Sequence, residues 1–227
     1  MKTMTRNDER HSVLVAMLLS LSVATGIVDA VSYLKLGHVF VANMTGNIVF
    51  LGFAAAGAPM IDALASVLAL AAFLVGTRIA ALAFGRSTSS SEHIIGYVAA
   101  GEAVLLITST VIAATVPIGE GAAGRYGIAI VLALAMGMQN FVARKLSVPD
   151  ITTTVLTMTI TALAVGGAGT ARRVAAIASM LLGAFIGGIF VLHLGVVSAF
   201  LIAAFALGGV AVASRIVPAY SHEVNPV

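Results

Sequence analysis

The strongest constraint on the fold is a series of long apolar runs separated by short polar connectors. A helix needs about 20 mostly apolar residues to cross the hydrocarbon core of a bilayer. The connectors between the runs carry glycine, serine, proline and charged residues, as in the segment Gly85–His93. We therefore predict an all-α integral membrane protein with about six membrane-spanning helices. The six runs are Ser12–Leu34, Ala63–Phe84, Ile94–Val116, Tyr126–Ala143, Val174–Val191 and Gly195–Ala213.

The composition excludes most other classes of protein. Of the 227 residues, 60% are hydrophobic and 9% are charged, whereas a soluble domain is about 25% charged. The net charge of +3 comes from basic residues spread thinly between apolar runs, which is typical of a polytopic membrane protein and not of a nucleic-acid-binding domain. The chain has no Cys, and its five His residues show no paired-ligand spacing. We therefore predict neither a metal site nor a cofactor.

The N-terminal segment has some features of a signal peptide, but an uncleaved first span is the better interpretation. Lys2, Arg6 and Arg10 precede the first apolar run, and that run continues to Leu34, beyond the length of a signal peptide. We expect a single transmembrane domain over residues 1–227. Residues 1–11 form a cytoplasmic N-terminal tail in this prediction, and residues 214–227 form a C-terminal tail.

Two further apolar runs, Asn43–Gly57 and Thr152–Gly166, are too short to cross the membrane comfortably. Apolar stretches of about 10–14 residues are more often re-entrant segments. Each run follows a segment that should be extended, and Pro149 in the second of these biases Val148 away from the helical conformation. We predict that both runs form short re-entrant half-helices.

The distribution of lysine and arginine distinguishes six spans from eight. Cytoplasmic loops carry an excess of these residues. If both short helices crossed, seven of the 12 basic residues would lie inside and five outside, whereas two re-entrant helices leave only Lys35 and Arg125 outside. We therefore predict six full spans with both termini in the cytoplasm. The basic residues then inside are Lys2, Arg6, Arg10, Arg78, Arg86, Arg144, Lys145, Arg172, Arg173 and Arg215.

Three short matches indicate an internal duplication, with repeat one over residues 12–116 and repeat two over residues 125–213. With three full spans in each unit, the second copy would be inverted in the membrane. Inverted repeats with broken helices at matching positions are the construction of many secondary transporters. Parallel repeats, which the eight-span alternative would give, keep visible sequence similarity more often. The matches, at offsets of 111 or 112 residues, are Gly26–Asp29 with Gly137–Asn140, Thr45–Asn47 with Thr157–Thr159, and Ala72–Gly76 with Ala184–Gly188.

The starts of the two short helices carry clusters of polar residues. A helix start leaves up to four N–H groups unpaired, and lipid cannot satisfy them. Two such starts facing each other would present donors and a partial positive field, which suits an anionic or strongly hydrogen-bonding ligand. The alternative is that these side chains cap their own backbones and bind nothing. The candidate ligand-binding residues are Asn43, Thr45, Gly46 and Asn47 in the first helix and Asp150, Thr153 and Thr154 in the second.

Four polar residues within the spans are candidates for handling charge or protons. A charged side chain in the membrane needs a partner, a proton or a water-filled cavity. Asp29 lies deep in the first span, and Asn140 is its counterpart in the second repeat. Glu102 lies far from both ends of its span, so we expect it to be protonated or paired with Arg78 or a hydroxyl group. Structural roles are the alternatives: a cap or interhelical hydrogen bond for Asp29, and a position near the membrane surface for Arg78.

Four segments resemble the YoaK-like family of small bacterial inner-membrane proteins, a family of unknown function. The resemblance covers nearly the whole chain and implies a bacterial inner-membrane protein of about six spans. It supplies no catalytic residue, substrate or partner. Such proteins often have Thr-Gly-Thr in the second short helix, where this chain has Met158 between the two threonines. The segments are Thr25–Tyr33 (TGIVDAVSY), Ala42–Ile48 (ANMTGNI), Gly137–Arg144 (GMQNFVAR) and Val148–Thr154 (VPDITTT).

The leading interpretation of the function is a small secondary transporter of the inner membrane, with its solute between the two short helices. The alternatives are a channel-like pore, since re-entrant helices also build pores, and a scaffold or accessory protein that transports nothing. We do not expect an enzyme, because neither a cluster of His, Ser and acidic residues nor a GxSxG or P-loop motif occurs. The expected partners are the lipid bilayer and a small solute, and the sequence leaves the oligomeric state open.

Overall fold

The computed structural model describes residues 6–59, 61–119, 122–146, 156–167 and 169–216, with side chains from Ser12 onward. These ranges form eight α-helices and contain no β-strand. Six of the helices are long and apolar enough to cross a membrane, and two are shorter. The predicted all-α membrane fold with six spans and two short helices is therefore confirmed. The helices are α1 (Arg6–Lys35), α2 (Met44–Ala55), α3 (Ala63–Phe84), α4 (Ser91–Thr115), α5 (Ala123–Leu146), α6 (Leu156–Val165), α7 (Thr170–His193) and α8 (Val196–Ile216).

The ends of the helices differ from the apolar runs by a few residues. Helix α3 has the bounds that the sequence predicts, whereas α1 begins at Arg6, within the segment that we expected to be a tail. The reason is that a helix extends into polar sequence wherever its backbone hydrogen bonds continue, while the apolar run marks only the part that suits lipid. Helices α7 and α8 are joined by a tight turn in which Gly195 adopts a φ of 89°.

Helix α2 starts beside α1 near Asp29, packs against α3 and returns toward the end of the bundle from which its loop came. After α1 ends, residues 36–42 run back along α1, and the backbone N–H groups of Val41 and Ala42 donate to the Asp29 carboxylate. After α2, the chain reaches Asp62 at the start of α3. A Cβ built on Gly37, just beyond α1, would lie 3.3 Å from the Cβ of Asp62. The segment between α1 and α3 therefore begins and ends at the same end of the bundle.

The second short helix lies between two spans that run in opposite directions. Helix α7 runs parallel to α1, because Gly183 packs against Val23 and Gly187 against Ile27. Helix α5 runs parallel to α3, because the Arg125 guanidinium pairs with Asp62 where both helices begin. Since α1 and α3 are antiparallel, α5 ends at the end of the bundle where α7 begins. The segment that contains α6 thus also returns to the end it left, as the re-entrant prediction requires.

Three pairs of long helices form the bundle: α1 with α7, α3 with α5, and α4 with α8. In two of these pairs, a glycine lies directly against the backbone of the partner helix. A Cβ on Gly183 would lie 3.0 Å from the Cα of Val23, and a Cβ on Gly76 would lie 3.0 Å from the Cα of Leu134. Such spacing lets the two backbones touch, as small residues do between membrane helices. Helices α1 and α5 are the most enclosed, with 56% of the spanning window buried in each, against 22–33% in the other four spans.

Candidate functional site

The first described residues of both short helices line one cavity of about 350 Å³ that lies toward the C-terminal end of α1. Asn43, the N-cap of α2, is on one side, and Leu156 and Thr157 at the start of α6 are on the other. One residue group from each short helix therefore lies at the same cavity. The start that the sequence predicts for the second short helix, at Thr152, lies outside the described residues, so a ligand site between the two helix starts stays a prediction. The remaining lining residues are Thr25, Asp29, Ala30, Tyr33 and Leu34 of α1, Phe40 and Ala42 of the loop, and Met180 and Ala184 of α7.

Asp29 both lines this cavity and binds the backbone of the re-entrant loop. Its Oδ1 accepts hydrogen bonds from the N–H groups of Val41 and Ala42 at 3.1 and 2.9 Å, and these bonds hold the re-entrant loop against α1. Its Oδ2 accepts no hydrogen bond from the described residues. Asp29 is only 5% exposed, and the area that remains open faces the cavity that it lines. The structural role that the sequence offered for Asp29, a cap of nearby backbone groups, is thus present, and its role in handling charge or protons stays a prediction.

Asn47 anchors the re-entrant loop from the other side. Its Oδ1 accepts from the Phe40 N–H at 2.9 Å, and its Nδ2 donates to the Phe40 carbonyl oxygen at 2.6 Å. Asn47 is fully buried and does not line the cavity. Gly46 lies against the Phe40 ring, where a Cβ would meet Cε2 at 3.1 Å, and Thr45 is exposed on the far side of the helix. Asn43 is thus the predicted residue of this cluster that lies at the cavity.

Part of the predicted site in the second short helix lies outside the described residues, namely Asp150, Thr153 and Thr154. Within α6, Thr157 lines the cavity and Thr159 is buried at 4% exposure. The Thr161 hydroxyl donates to the Thr157 carbonyl oxygen at 2.9 Å, which is ordinary back-bonding within a helix. Thr157 is therefore the threonine of α6 that contributes to the cavity.

Glu102 lies near the middle of α4 and is fully buried. It forms no salt bridge with Arg78 or with any other cation in the described part of the chain. Its neighbour is Gln139 of α5, whose side-chain amide lies 3.0 Å from Oε2 and 3.3 Å from Oε1 of Glu102. The other end of that amide lies 2.7 Å from the hydroxyl oxygen of Thr25. Gln139 thus connects Glu102 to a residue that lines the cavity.

Arg78 and Asn140 lie away from Asp29 and Glu102. They line a separate cavity of about 520 Å³ between α3 and α5, together with Thr77 and Arg144. The Thr77 hydroxyl lies 3.1 Å from the Gly137 carbonyl oxygen and ties the two helices together. Arg78 and Asn140 thus share a cavity that is separate from the one lined by Asp29.

Comparison with known proteins identifies the family. A family model described as "Protein of unknown function (DUF1275)" matches residues 17–213. The chain belongs to the DUF1275 family. It is also similar to the UPF0700 transmembrane protein YoaK of Bacillus subtilis (strain 168), with 36% identity over 151 residues. That alignment covers 65% of this chain and 64% of the relative, slightly less than two-thirds of the relative's length. No solved structure matches the chain.

These comparisons confirm the predicted YoaK-like family and a multi-pass transmembrane character. They assign no activity, solute or partner. In the described part of this DUF1275 protein, no group of three or more His, Cys, Asp and Glu side chains could hold a metal ion.

A second group of polar residues, absent from the sequence-based candidates, lies where α3 and α5 begin. Asp62 caps α3 by accepting from the Ala65 N–H at 3.0 Å, and it pairs with the Arg125 guanidinium. The Tyr126 hydroxyl donates to the same carboxylate at 2.9 Å. These residues flank an outer cavity of about 770 Å³ that Arg125 and Asp62 help to line. An acid directly before an apolar run is a sequence signal for this N-cap. No local pattern predicts its pairing with Arg125, because the two residues are far apart in the sequence.

The loop of residues 36–42 lies between the two cavities of this DUF1275 protein. His38 lines the outer cavity, whereas Phe40 and Ala42 line the inner one. His38 adopts a φ of 55°, a conformation that is uncommon for residues other than glycine. Its ring packs edge-on against Tyr33, with the ring centroids 5.2 Å apart. The loop is therefore held by Asp29 and Asn47 through its backbone and by Tyr33 through its side chains.

Proposed function

We propose that this DUF1275 protein is a small secondary transporter whose solute binds in the cavity between the starts of α2 and α6. The observation that carries the proposal is the convergence of both half-helix starts with Asp29 on that one cavity. Half-helix starts at the centre of a bundle are the binding elements of many secondary transporters. The Asp29 carboxyl group is an independent sign of a ligand, because it is an ionisable group within a membrane helix that lines the cavity.

The lining of the cavity defines the class of solute. Its volume of about 350 Å³ has room for on the order of ten water molecules, which is the size of a small metabolite. The polar lining consists of hydroxyl groups, the Asn43 amide and one carboxylate, and no Lys, Arg or His occurs among the described lining residues. Asp29 supplies a negative charge that opposes the positive field of the α2 start. We therefore propose a neutral or cationic solute that donates hydrogen bonds, where the helix starts alone would suggest an anion.

An inverted duplication gives the proposed transporter its two states. Helices α1–α4 would correspond to α5–α8, so the pair of α1 with α7 matches the pair of α5 with α3. The glycine contacts support this correspondence. Gly183 meets Val23 as Gly76 meets Leu134, so these contacts relate α3 to α7 by an offset of 107 residues. The offset of 112 residues would instead match Gly76 to Gly188, but Gly188 has open space around it.

The proposed duplication also relates the cavity lined by Asp29 to the cavity lined by Asn140. The offset of 111 residues that relates Gly26 to Gly137 also relates Asp29 to Asn140. Asp29 lines a cavity beside α1 and α7, and Asn140 lines one between α5 and α3. The solute site would then open to one side of the membrane or the other as helices α1–α4 adopt the arrangement of α5–α8 and the reverse. From the positive-inside bias, we propose that the termini lie in the cytoplasm and the α1–α2 loop on the outer side of the inner membrane.

The experiment that tests the proposal is a solute panel on purified protein, followed by uptake into proteoliposomes. The panel contains small primary amines, amino alcohols, polyols, neutral amino acids and small carboxylates. We expect an amine or a neutral donor to raise the thermal unfolding temperature through preferential binding to the folded state. The same compound should accumulate in the proteoliposomes with saturable kinetics. Linear, unsaturable flux would indicate a channel, and no stabilisation and no flux with any compound would overturn the proposal.

Matched variants locate the solute in the cavity. Thr157→Val and Asn43→Ala remove polar groups from the lining and should weaken binding of the panel compound by about tenfold each. Thr161→Val is the control in α6, and Thr45→Ala is the control in α2, because neither residue lines the cavity. If a control variant weakens binding as much as its partner, the solute does not bind between the half-helix starts.

A further inference from the structure

We infer that Glu102 is a proton-binding site of this carrier and that Gln139 and Thr25 transmit its protonation state to the solute cavity. The inference deepens the proposed function and rests on it for the meaning of the cavity. It names the proton as the coupling ion and gives it a binding site apart from the solute.

The first step is that Glu102 has no structural partner that requires a carboxylate. It is fully buried in α4, and none of the described Lys, Arg and His side chains forms a salt bridge with it. Its hydrogen-bonding neighbour is the Gln139 amide, and a glutamine at position 102 could bond to that amide equally well. An ionisable group deep in a membrane helix without a paired charge is by default a functional group.

The charged and titratable groups on the surrounding helices have other positions or partners. Helix α4 packs against α5, α8 and α1. Arg125 of α5 is paired with Asp62, and Lys145 of α5 binds backbone oxygens after α3, including that of Ser87 at 3.1 Å. The remaining such groups on these helices are Tyr126 and Arg144 of α5, Arg215 of α8, Asp29, Tyr33 and Lys35 of the described side chains of α1, and Glu92, His93 and Tyr97 of α4 itself.

The second step is that the geometry of Gln139 fits both protonation states of Glu102. With the Gln139 nitrogen toward Glu102, that nitrogen donates to the two carboxylate oxygens at 3.0 and 3.3 Å, and the Gln139 oxygen accepts from the Thr25 hydroxyl at 2.7 Å. This arrangement uses both carboxylate oxygens as acceptors and therefore suits an ionised Glu102. With the amide turned over, a protonated Glu102 donates to the Gln139 oxygen, and Nε2 of Gln139 donates to the Thr25 hydroxyl oxygen at 2.7 Å. In both arrangements Gln139 hydrogen-bonds to Glu102 and to Thr25 at the same time.

The third step is that the Thr25 hydroxyl has a single proton and two acceptors. One is the Leu21 carbonyl oxygen at 2.9 Å, and the other is the Gln139 oxygen when Glu102 is ionised. Thr25 lines the solute cavity and lies one helical turn before Asp29. Proton binding to Glu102 therefore changes which way a cavity hydroxyl donates. In return, a solute that bonds to Thr25 favours one protonation state of Glu102, because such coupling is reciprocal.

The experiment is infrared difference spectroscopy of the purified protein in lipid, titrated with acid and base in ¹H₂O and ²H₂O. The carbonyl stretch of a protonated carboxylic acid reports Glu102 without any solute. We expect a signal that appears and disappears reversibly with pH, survives Asp29→Asn and is absent from Glu102→Gln. The isosteric Thr25→Val variant should shift the proton affinity reported by this signal about tenfold, because it removes one hydrogen bond from a chain of three residues.

The matched control for Thr25→Val is Ser22→Ala. The Ser22 hydroxyl is also buried in α1 and donates to a carbonyl oxygen in its own helix at 3.1 Å, but it does not contact Gln139. We expect this variant to titrate like the wild type. Gln139→Met tests the link a second time and should shift the titration at least as much as Thr25→Val.

Two results would overturn the inference. One is the absence of a titrating signal that depends on Glu102, and the other is an unchanged titration in both Thr25→Val and Gln139→Met. Because the titration needs no solute, these results are independent of the carrier test. A titrating Glu102 in a protein that takes up nothing from the panel would refute transport of those solutes and leave the proton site in place.

Discussion

At the scale of single residues, the re-entrant loop depends on two side chains that bind its backbone. Asp29 accepts from Val41 and Ala42, and Asn47 satisfies both the N–H and the C=O of Phe40. Membrane interiors offer no water to replace such bonds. A re-entrant loop can therefore exist only where polar side chains take over the hydrogen bonds that a helix would otherwise make.

Replacement of Asn47 should be costly for this reason. In Asn47→Ala, the N–H and C=O groups of Phe40 both lose a buried partner, and each unpaired group costs about 1–3 kcal/mol. We expect the free energy of unfolding, measured by denaturation in detergent, to fall by roughly 2–5 kcal/mol. The control is Asn43→Ala, whose side chain is exposed and accepts one long bond of 3.4 Å from the Gly46 N–H. A loss of stability as large in the control would show that the Phe40 contacts are not the cause.

The sequence predicts some of these residues and not others. Asp29, Asn43 and Asn47 stand out because a polar residue in or beside an apolar run needs a partner. Gln139 and Thr25 do not, although both occur in the segments that resemble the YoaK-like family. Their contact joins positions 114 residues apart, and no local pattern indicates which of many polar side chains will meet across three helices.

At the scale of helices, close crossings determine the arrangement of α1 with α7 and of α3 with α5. The ridge of Ser179, Gly183 and Gly187 is a small-residue pattern of the kind that packs membrane helices. The structure places Gly183 and Gly187 against α1 of the same chain. The sequence shows the ridge but not its partner helix, because small residues permit a close approach to any neighbour.

Substitutions at the crossing glycines should distinguish contact from open surface. A Cβ on Gly183 would lie 3.0 Å from the Val23 Cα and still closer to the Val23 carbonyl oxygen, which is backbone and cannot move aside. We expect Gly183→Ala to lower the thermal unfolding temperature and the yield of folded protein. Gly188→Ala, five residues on in the same helix, has nothing within 4 Å of the new Cβ. That variant should be neutral or more stable by up to about 1 kcal/mol, because alanine favours the helix.

An unchanged stability of Gly183→Ala beside Gly188→Ala would mean that α1 and α7 do not meet as closely as described. The paired variants Gly76→Ala and Gly137→Ala test the equivalent crossing of α3 with α5. The proposed duplication predicts similar losses for Gly76→Ala and Gly183→Ala, since the two glycines meet Leu134 and Val23 in the same way.

At the scale of the whole molecule, hydrophobicity and charge together predict the topology. Apolar runs define six spans, and the length of the two remaining runs indicates half-helices. Which helices pair cannot be read from these patterns, because every span is apolar on most of its surface. The pairing becomes clear only from long-range contacts such as those of Gly37 with Arg125 and of Gly183 with Val23.

The central claim is that both short helices turn back inside the membrane. The most direct test is labelling of single cysteines in intact cells with a membrane-impermeant thiol reagent, and the natural absence of Cys gives a clean background. Ala58→Cys lies in the connection from α2 to α3, and Thr170→Cys lies at the start of α7. The account predicts that position 58 reacts from outside the cell and that position 170 reacts only after permeabilisation. Labelling of both positions from the same side would mean that the short helices cross the membrane, and this result would contradict the account.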